Sequence, residues 1–255
     1  MIIEYHRPST LDEALALLAS GTVKTVPLGG GTSLNQPSAE AFSVVDLQAL
    51  GLDQLEKRGS NLSIGAMVTL QALLEGGQAP PVLRRAIHHE AGYNLRQVAS
   101  VAGALVAASG RSTFATVMLA LDASLDLRVA GEPAQTVSLG DLLPVRGERL
   151  GGRLITGVTI PLNTRLAYEV VARTPADLPI VCVALARWPS GRVRLALGGF
   201  GAAPVLALDG PEAGGVEQAA KIAYSQAVDE WASAEYRQDV AAILSRRCLT
   251  RVENG

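Results

Sequence analysis

A chain of 255 residues, 48% hydrophobic and 18% charged, can bury the cores of two modest domains, or of about one and a half, and is not a disordered polymer. A net charge of −2 gives no broad pull toward nucleic acid or an anionic membrane, and an aromatic share of 4% supplies too few rings for a single-strand stacking platform. The two cysteines, Cys182 and Cys248, lie far apart and exclude a disulfide framework, an iron–sulfur cluster or a cysteine-rich zinc site within this chain.

The opening residues, Met1 to His6, are too few and too polar for a signal peptide, and no apolar run reaches the length of a membrane span. A cytoplasmic protein is expected. Thr10 and Glu13 form a capping box, and Leu11, Ala14, Leu15 and Leu18 recur at helical spacing, with Gly21 closing the helix. A short strand over 22–26 leads into Pro27, Leu28, Gly29, Gly30, Gly31, Thr32, Ser33 and Leu34. Three glycines admit backbone conformations closed to other residues, including positive φ. Such a turn can aim successive N–H groups at one anion, and Thr32 and Ser33 add hydroxyls. Leu34 holds the third glycine's place of a Rossmann fingerprint and Pro37 follows soon, while no lysine completes a P-loop. Two readings remain at this point: a diphosphate loop of another kind, or simply a turn.

Strands are expected over 43–47 and 62–66, with 52–59 too mixed to assign. Thr69 is placed to cap a helix through Leu74, and Pro80 and Pro81 open another through Glu90. The stretch from Asn94 to Ser109 is crowded with small residues. It is either a tightly packed helix or loop, or a second backbone surface that a flat ligand can approach. A helix over 114–121, strands over 125–129 and 154–160, and a linker over 163–166 follow. Beyond the linker the pattern changes to strands over 168–173, 180–187 and 193–197, the last two joined by a Pro189-Ser190-Gly191 hairpin turn. A further strand over 203–208 and helices over 216–223 and 236–248 complete an α+β pattern. His88 and His89 are adjacent, not four apart, so no metal site is expected. No Ser–His–Asp set or carboxylate pair is evident, and no catalytic side chain is assigned.

With both small-residue stretches in view, the chain resembles the FAD-binding (medium) subunits of molybdenum hydroxylases of the carbon monoxide dehydrogenase and xanthine dehydrogenase type. The resemblance runs from about Tyr5 to Arg247. It rests on the order and spacing of Gly29 to Leu34, Val45-Asp46-Leu47, Ile64 to Thr69, Asn94 to Ala104, Gly198-Gly199 and Tyr236-Arg237. It implies a two-lobed FAD-binding domain of the vanillyl-alcohol-oxidase (PCMH) type over 1–163, with lobes of about 1–55 and 56–163, and a small antiparallel α+β domain over 164–255. It implies FAD held by Pro27 to Leu34, Ser100, Ala102, Gly103, Ala104, Thr113 and Ile155. The partners implied are a molybdopterin-binding large subunit, a 2Fe–2S small subunit and an electron acceptor such as NAD, a quinone or oxygen.

The chain departs from the family pattern in three places. The second loop usually reads Thr-Ile-Gly-Gly-Asn, and here reads Ser100-Val101-Ala102-Gly103-Ala104. A Pro-x-Ser-Asp segment becomes Gly110-Arg111-Ser112-Thr113, and Glu169 stands where a lysine is common. An alanine cannot replace an asparagine amide as a hydrogen-bonding group. A flavin-free scaffold subunit, or a self-contained flavoenzyme of the same fold group, are the alternatives to an electron-transfer subunit.

Overall fold

The computed structural model describes residues 1–20, 23–35 and 40–254. The strands fall into three separate sheets. The first contains β1 (Ile2–His6), β2 (Thr25–Leu28) and β3 (Phe42–Asp46), all parallel, in the order β1-β3-β2. Helix α1 (Leu11–Ala19) lies between β1 and β2 in the chain. The Thr10 hydroxyl accepts from the Glu13 N–H at 3.3 Å, and the Glu13 carboxylate accepts from the Ser9 N–H at 3.0 Å. Ala14, Leu15 and Leu18 pack on Val45, Leu47 and Leu154. At the far end the Ser20 hydroxyl donates to the Leu17 carbonyl at 2.6 Å. Gly21, read as the stop, and Thr22 of the expected strand lie outside the described residues. β1 is a strand that sequence pattern does not announce, because four of its five residues are exposed and none alternates.

The second sheet contains β4 (Leu55–Arg58), β5 (Asn61–Gly65), β6 (Ser124–Val129), β7 (Gln135–Ser138) and β8 (Arg153–Pro161), antiparallel in the order β4-β5-β8-β6-β7. Leu62, Ile64, Leu125, Leu127, Val158 and Ile160 alternate with more polar residues and face the main core. Between β5 and β6 run α2 (Leu70–Glu75), α3 (Pro81–Glu90), α4 (Tyr93–Val98), α5 (Val101–Val106) and α6 (Thr113–Ala120). Short α7 (Leu139–Leu142) and α8 (Arg146–Arg149) precede β8. Thr69 caps α2 as expected, accepting from the Ala72 N–H at 3.1 Å.

Every residue of α6 is buried, as befits a helix apolar on all sides. Its first N–H groups therefore need partners within the protein. The Glu90 carboxylate accepts from the Phe114 N–H at 2.9 Å and the Ser112 hydroxyl at 3.0 Å, and the one hydrogen of the Thr113 hydroxyl is shared between Glu90 at 3.1 Å and the Ala86 carbonyl at 2.8 Å. Ser112 in turn accepts from the Ala115 N–H at 3.0 Å. Glu90→Ala should thus lower stability by about 1–3 kcal/mol through unsatisfied donors. Urea unfolding measures it, and an unchanged midpoint would mean that water serves the same groups.

The third sheet contains β9 (Arg165–Val171), β10 (Val181–Arg187), β11 (Val193–Gly198) and β12 (Val205–Gly210), antiparallel in the order β12-β11-β10-β9. The 10–11 hairpin closes as expected, with the Trp188 N–H on the Arg192 carbonyl at 2.9 Å and Gly191 at φ 94°. β10 serves two cores at once. Cys182, Ala184 and Ala186 face the main core, while Val181, Val183 and Leu185 pack with residues of α9 (Val216–Ala223) and α10 (Ala234–Asn254). The small residues on the first face let α6 lie close to the sheet. The linker expected over 163–166 shrinks to 162–164, because β9 already begins at Arg165. The whole is a mixed α+β protein.

Candidate functional site

The first glycine loop leaves the end of β2 beside β3, where the Leu47 N–H donates to the Leu28 carbonyl at 3.1 Å. The second small-residue stretch is not one helix but α4 and α5 with a kinked junction between them. That junction is zipped to the segment after β5. The Leu70 N–H donates to Ala99 O at 2.9 Å, Val101 N–H to Val68 O at 2.8 Å and Ala102 N–H to Ala66 O at 3.3 Å.

The two stretches touch each other through their glycines. A Cβ on Gly29 or on Gly103 would fall 2.8 Å from Ser100 Oγ, which accepts from the Gly103 N–H at 3.2 Å. A Cβ on Gly30 would fall 1.6 Å from the Val98 carbonyl oxygen. Only Gly31 of the three has positive φ, at 71°. Positive φ therefore explains Gly31 alone, and Gly30 is required by close backbone approach to the other loop.

Between the loops lies a cleft of about 180 Å³. Pro27, Gly29, Gly30, Gly31, Thr32, Ser33 and Leu34 line one side, Ser100, Ala102 and Gly103 a second, and Arg153, Leu154 and Ile155 from β8 a third. Leu47, Met67, Val106 and Leu150 add apolar wall.

Residues 1–163 match the family described as the FAD binding domain in molybdopterin dehydrogenase. The chain belongs to this family. The FAD-binding family member is 29% identical over 250 residues to the Escherichia coli K12 protein YgfM, covering 96% of this chain and 94% of that one. It is 26% identical over 280 residues to the carbon monoxide dehydrogenase medium chain of Afipia carboxidovorans, covering 98% and 96%. Among solved structures, reconstituted CO dehydrogenase from Oligotropha carboxidovorans superposes with a TM-score of 0.82 at 25% identity, covering 99% of this chain and 98% of that one. The protein is thus an oxidoreductase subunit of a family whose cofactor at this domain is FAD.

The cleft's chemistry fits that cofactor. Among the described residues, the N–H groups of Gly29 to Thr32 make no backbone hydrogen bond, and the hydroxyls of Thr32 and Ser33 have no partner. Arg153 is the one charged side chain in the lining and has neither hydrogen bond nor ion pair among the described residues. Free donors, one cation, no carboxylate and apolar walls suit a diphosphate attached to flat rings.

Three residues expected in the site are not brought to the cleft. Leu28 ends β2 outside the lining. Ala104 packs against the main core from α5. Thr113 is fully buried, donating to the Ala86 carbonyl at 2.8 Å beside Glu90, so a carboxylate at this position would face Glu90 rather than the cleft. Asp46 is occupied by the Tyr5 hydroxyl and the Gln48 N–H, and Arg96 by Gln71 and the Ala91 carbonyl, so both serve structural roles. His88 and Tyr93 are exposed outside the lining, and Glu169 pairs with Arg251. The site residues that sequence reading missed include Arg153 and the apolar wall of Leu47, Met67, Val106, Leu150 and Leu154. Arg153 stands two residues before Ile155, on the same face of a strand, which was the available signal.

Proposed function

We propose that this chain holds FAD in the cleft between its two glycine loops and serves as the electron-transfer subunit of a molybdenum hydroxylase complex. On this reading the flavin unit spans 1–163, in lobes of about 1–55 and 56–163, and 164–255 forms the C-terminal unit. The partners are a molybdopterin-binding large subunit and a 2Fe–2S small subunit, consistent with a chain whose own two cysteines are both buried and unpaired. Those buried free thiols also suit the cytoplasm. Bound FAD supplies the redox chemistry, exchanging electrons with the partner's clusters and with an external acceptor such as NAD, a quinone or oxygen.

The protein's own contribution is binding and shielding. The amides of Gly29 to Thr32 and the hydroxyls of Thr32 and Ser33 receive the diphosphate, and Arg153 balances its charge. Leu34, Leu154 and Ile155 keep water from the ring systems. The observation that carries this reading is the convergence, on one apolar cleft, of donors and an Arg153 side chain that have no partner among the described residues.

Visible absorption of the purified chain, followed by titration of the apoprotein with FAD, tests it. Arg153→Ala removes a charge-assisted contact worth about 1.5–3 kcal/mol and should weaken FAD roughly 10- to 150-fold. A wild-type chain that binds no FAD at any concentration would instead support the flavin-free scaffold reading.

A further inference from the structure

A second cavity, of about 420 Å³, opens at the end of the third sheet and shares no lining residue with the cleft. It is lined by Asn163, Thr164, Arg165, Arg187, Trp188 and Pro189. Arg165 on β9 and Arg187 on β10 are direct cross-strand partners, so two guanidinium groups leave the same face side by side. Like charges so placed repel and destabilise a strand pair unless something negative lies between them. Among the described residues the lining holds no carboxylate. Arg165 is partly accounted for, since its Nη1 donates at 3.3 Å to the Val252 and Glu253 carbonyls at the end of α10. Arg187 is not: it is half-buried and, among the described residues, has no hydrogen bond or ion pair. Asn163 and Thr164 likewise keep their side-chain groups free among the described residues.

We propose that this cavity binds a small phosphate-bearing anion, bridged by Arg165 and Arg187 with Asn163 and Thr164 as further donors. Arginine's planar fork matches phosphate oxygens in pairs. Trp188 borders the cavity while its indole packs toward the main core under the Arg192 guanidinium, so it serves as an adjacent reporter of binding and not as a contact.

Trp188 and Trp231 are the only tryptophans, so the full-length Trp231→Phe chain isolates the signal of Trp188. Inorganic phosphate is titrated against sodium chloride at matched ionic strength, and calorimetry on the unmodified chain repeats the measurement without substitution. The expected result is saturable binding with a Kd below about 1 mM, weakened roughly 10- to 150-fold by Arg187→Ala and less by Arg187→Lys. A parallel titration with AMP separates sources: tighter binding than phosphate assigns the site to a phosphate monoester, and equal binding assigns it to the free ion. Absence of saturable binding by both methods, or binding indifferent to Arg187→Ala, would overturn the proposal.

Discussion

Replacing Gly30 with valine is expected to yield a folded chain that purifies without flavin. Any Cβ at this position meets the Val98 carbonyl at 1.6 Å and its carbon at 2.5 Å, both rigid backbone atoms. The first loop must therefore swing away from the second. Overpacking of this kind costs about 1–3 kcal/mol when the native geometry is enforced. A ligand that needs the closed arrangement must supply that energy, which alone weakens it roughly 5- to 150-fold. The amides of Gly29 to Thr32 move with the loop, so the loss should fall at the upper end. Flavin content and FAD titration read the effect, with circular dichroism as the check on folding. Wild-type flavin occupancy in the folded variant would show that the diphosphate lies elsewhere.

The largest loss of stability is expected from Arg237→Ala. This guanidinium is fully buried. It donates to the Ala227 carbonyl at 2.7 Å, the Ala232 carbonyl at 2.9 Å, the Ile180 carbonyl at 3.3 Å and the Asp229 carboxylate at 2.7 Å, and it lies over the Phe200 ring. One side chain thereby ties α10 to the loop after α9 and to the start of β10. Removing it strands three carbonyls and takes from the Asp229 carboxylate its cationic partner, leaving it the Trp231 and Ala232 N–H groups, a loss of about 3–5 kcal/mol. Lysine should not rescue it, because one ammonium cannot span four acceptors set around a plane. Burial alone would raise the Asp229 carboxyl, but bonds from Arg237 and from the Trp231 and Ala232 N–H groups prevail and hold it below its usual value. The stability this lends is complete above the ordinary carboxylate pKa and fades as pH falls through the depressed one. Urea unfolding at neutral and acidic pH measures both effects. A change under about 1 kcal/mol at neutral pH would mean that water replaces the guanidinium.

What could be read in advance was what depends on neighbours in the chain. Thr10, Thr69 and Pro81 mark helix starts because a cap acts within one turn. The Val181 to Arg187 strand and its hairpin announce themselves by β-branched residues and a Pro-Ser-Gly turn. Reasons that lie far along the chain were hidden. Gly30 is glycine because of Val98, and nothing near residue 30 says so. Thr113 looked like a cofactor contact by family position, yet α3 brings Glu90 over it. Arg153 is visible only as a charge at a strand start until β8 carries it to the loops. β7 was missed because Gln135–Ser138 is short, largely polar and without a buried residue, an edge strand with little pattern to show.

The cleft takes one wall from Pro27 and another from Ile155. During synthesis these walls do not exist at the same time. The ribosome adds roughly 5–20 residues per second, so the first loop waits on the order of ten seconds for the strand that faces it. Over that interval Leu154, on which Ala14, Leu15 and Leu18 settle, has not yet been made. The first sheet thus emerges with α1 covered by Val45 and Leu47 but not yet by Leu154, and with half a cleft. Any ligand of the completed cleft therefore arrives only after β8 has been made.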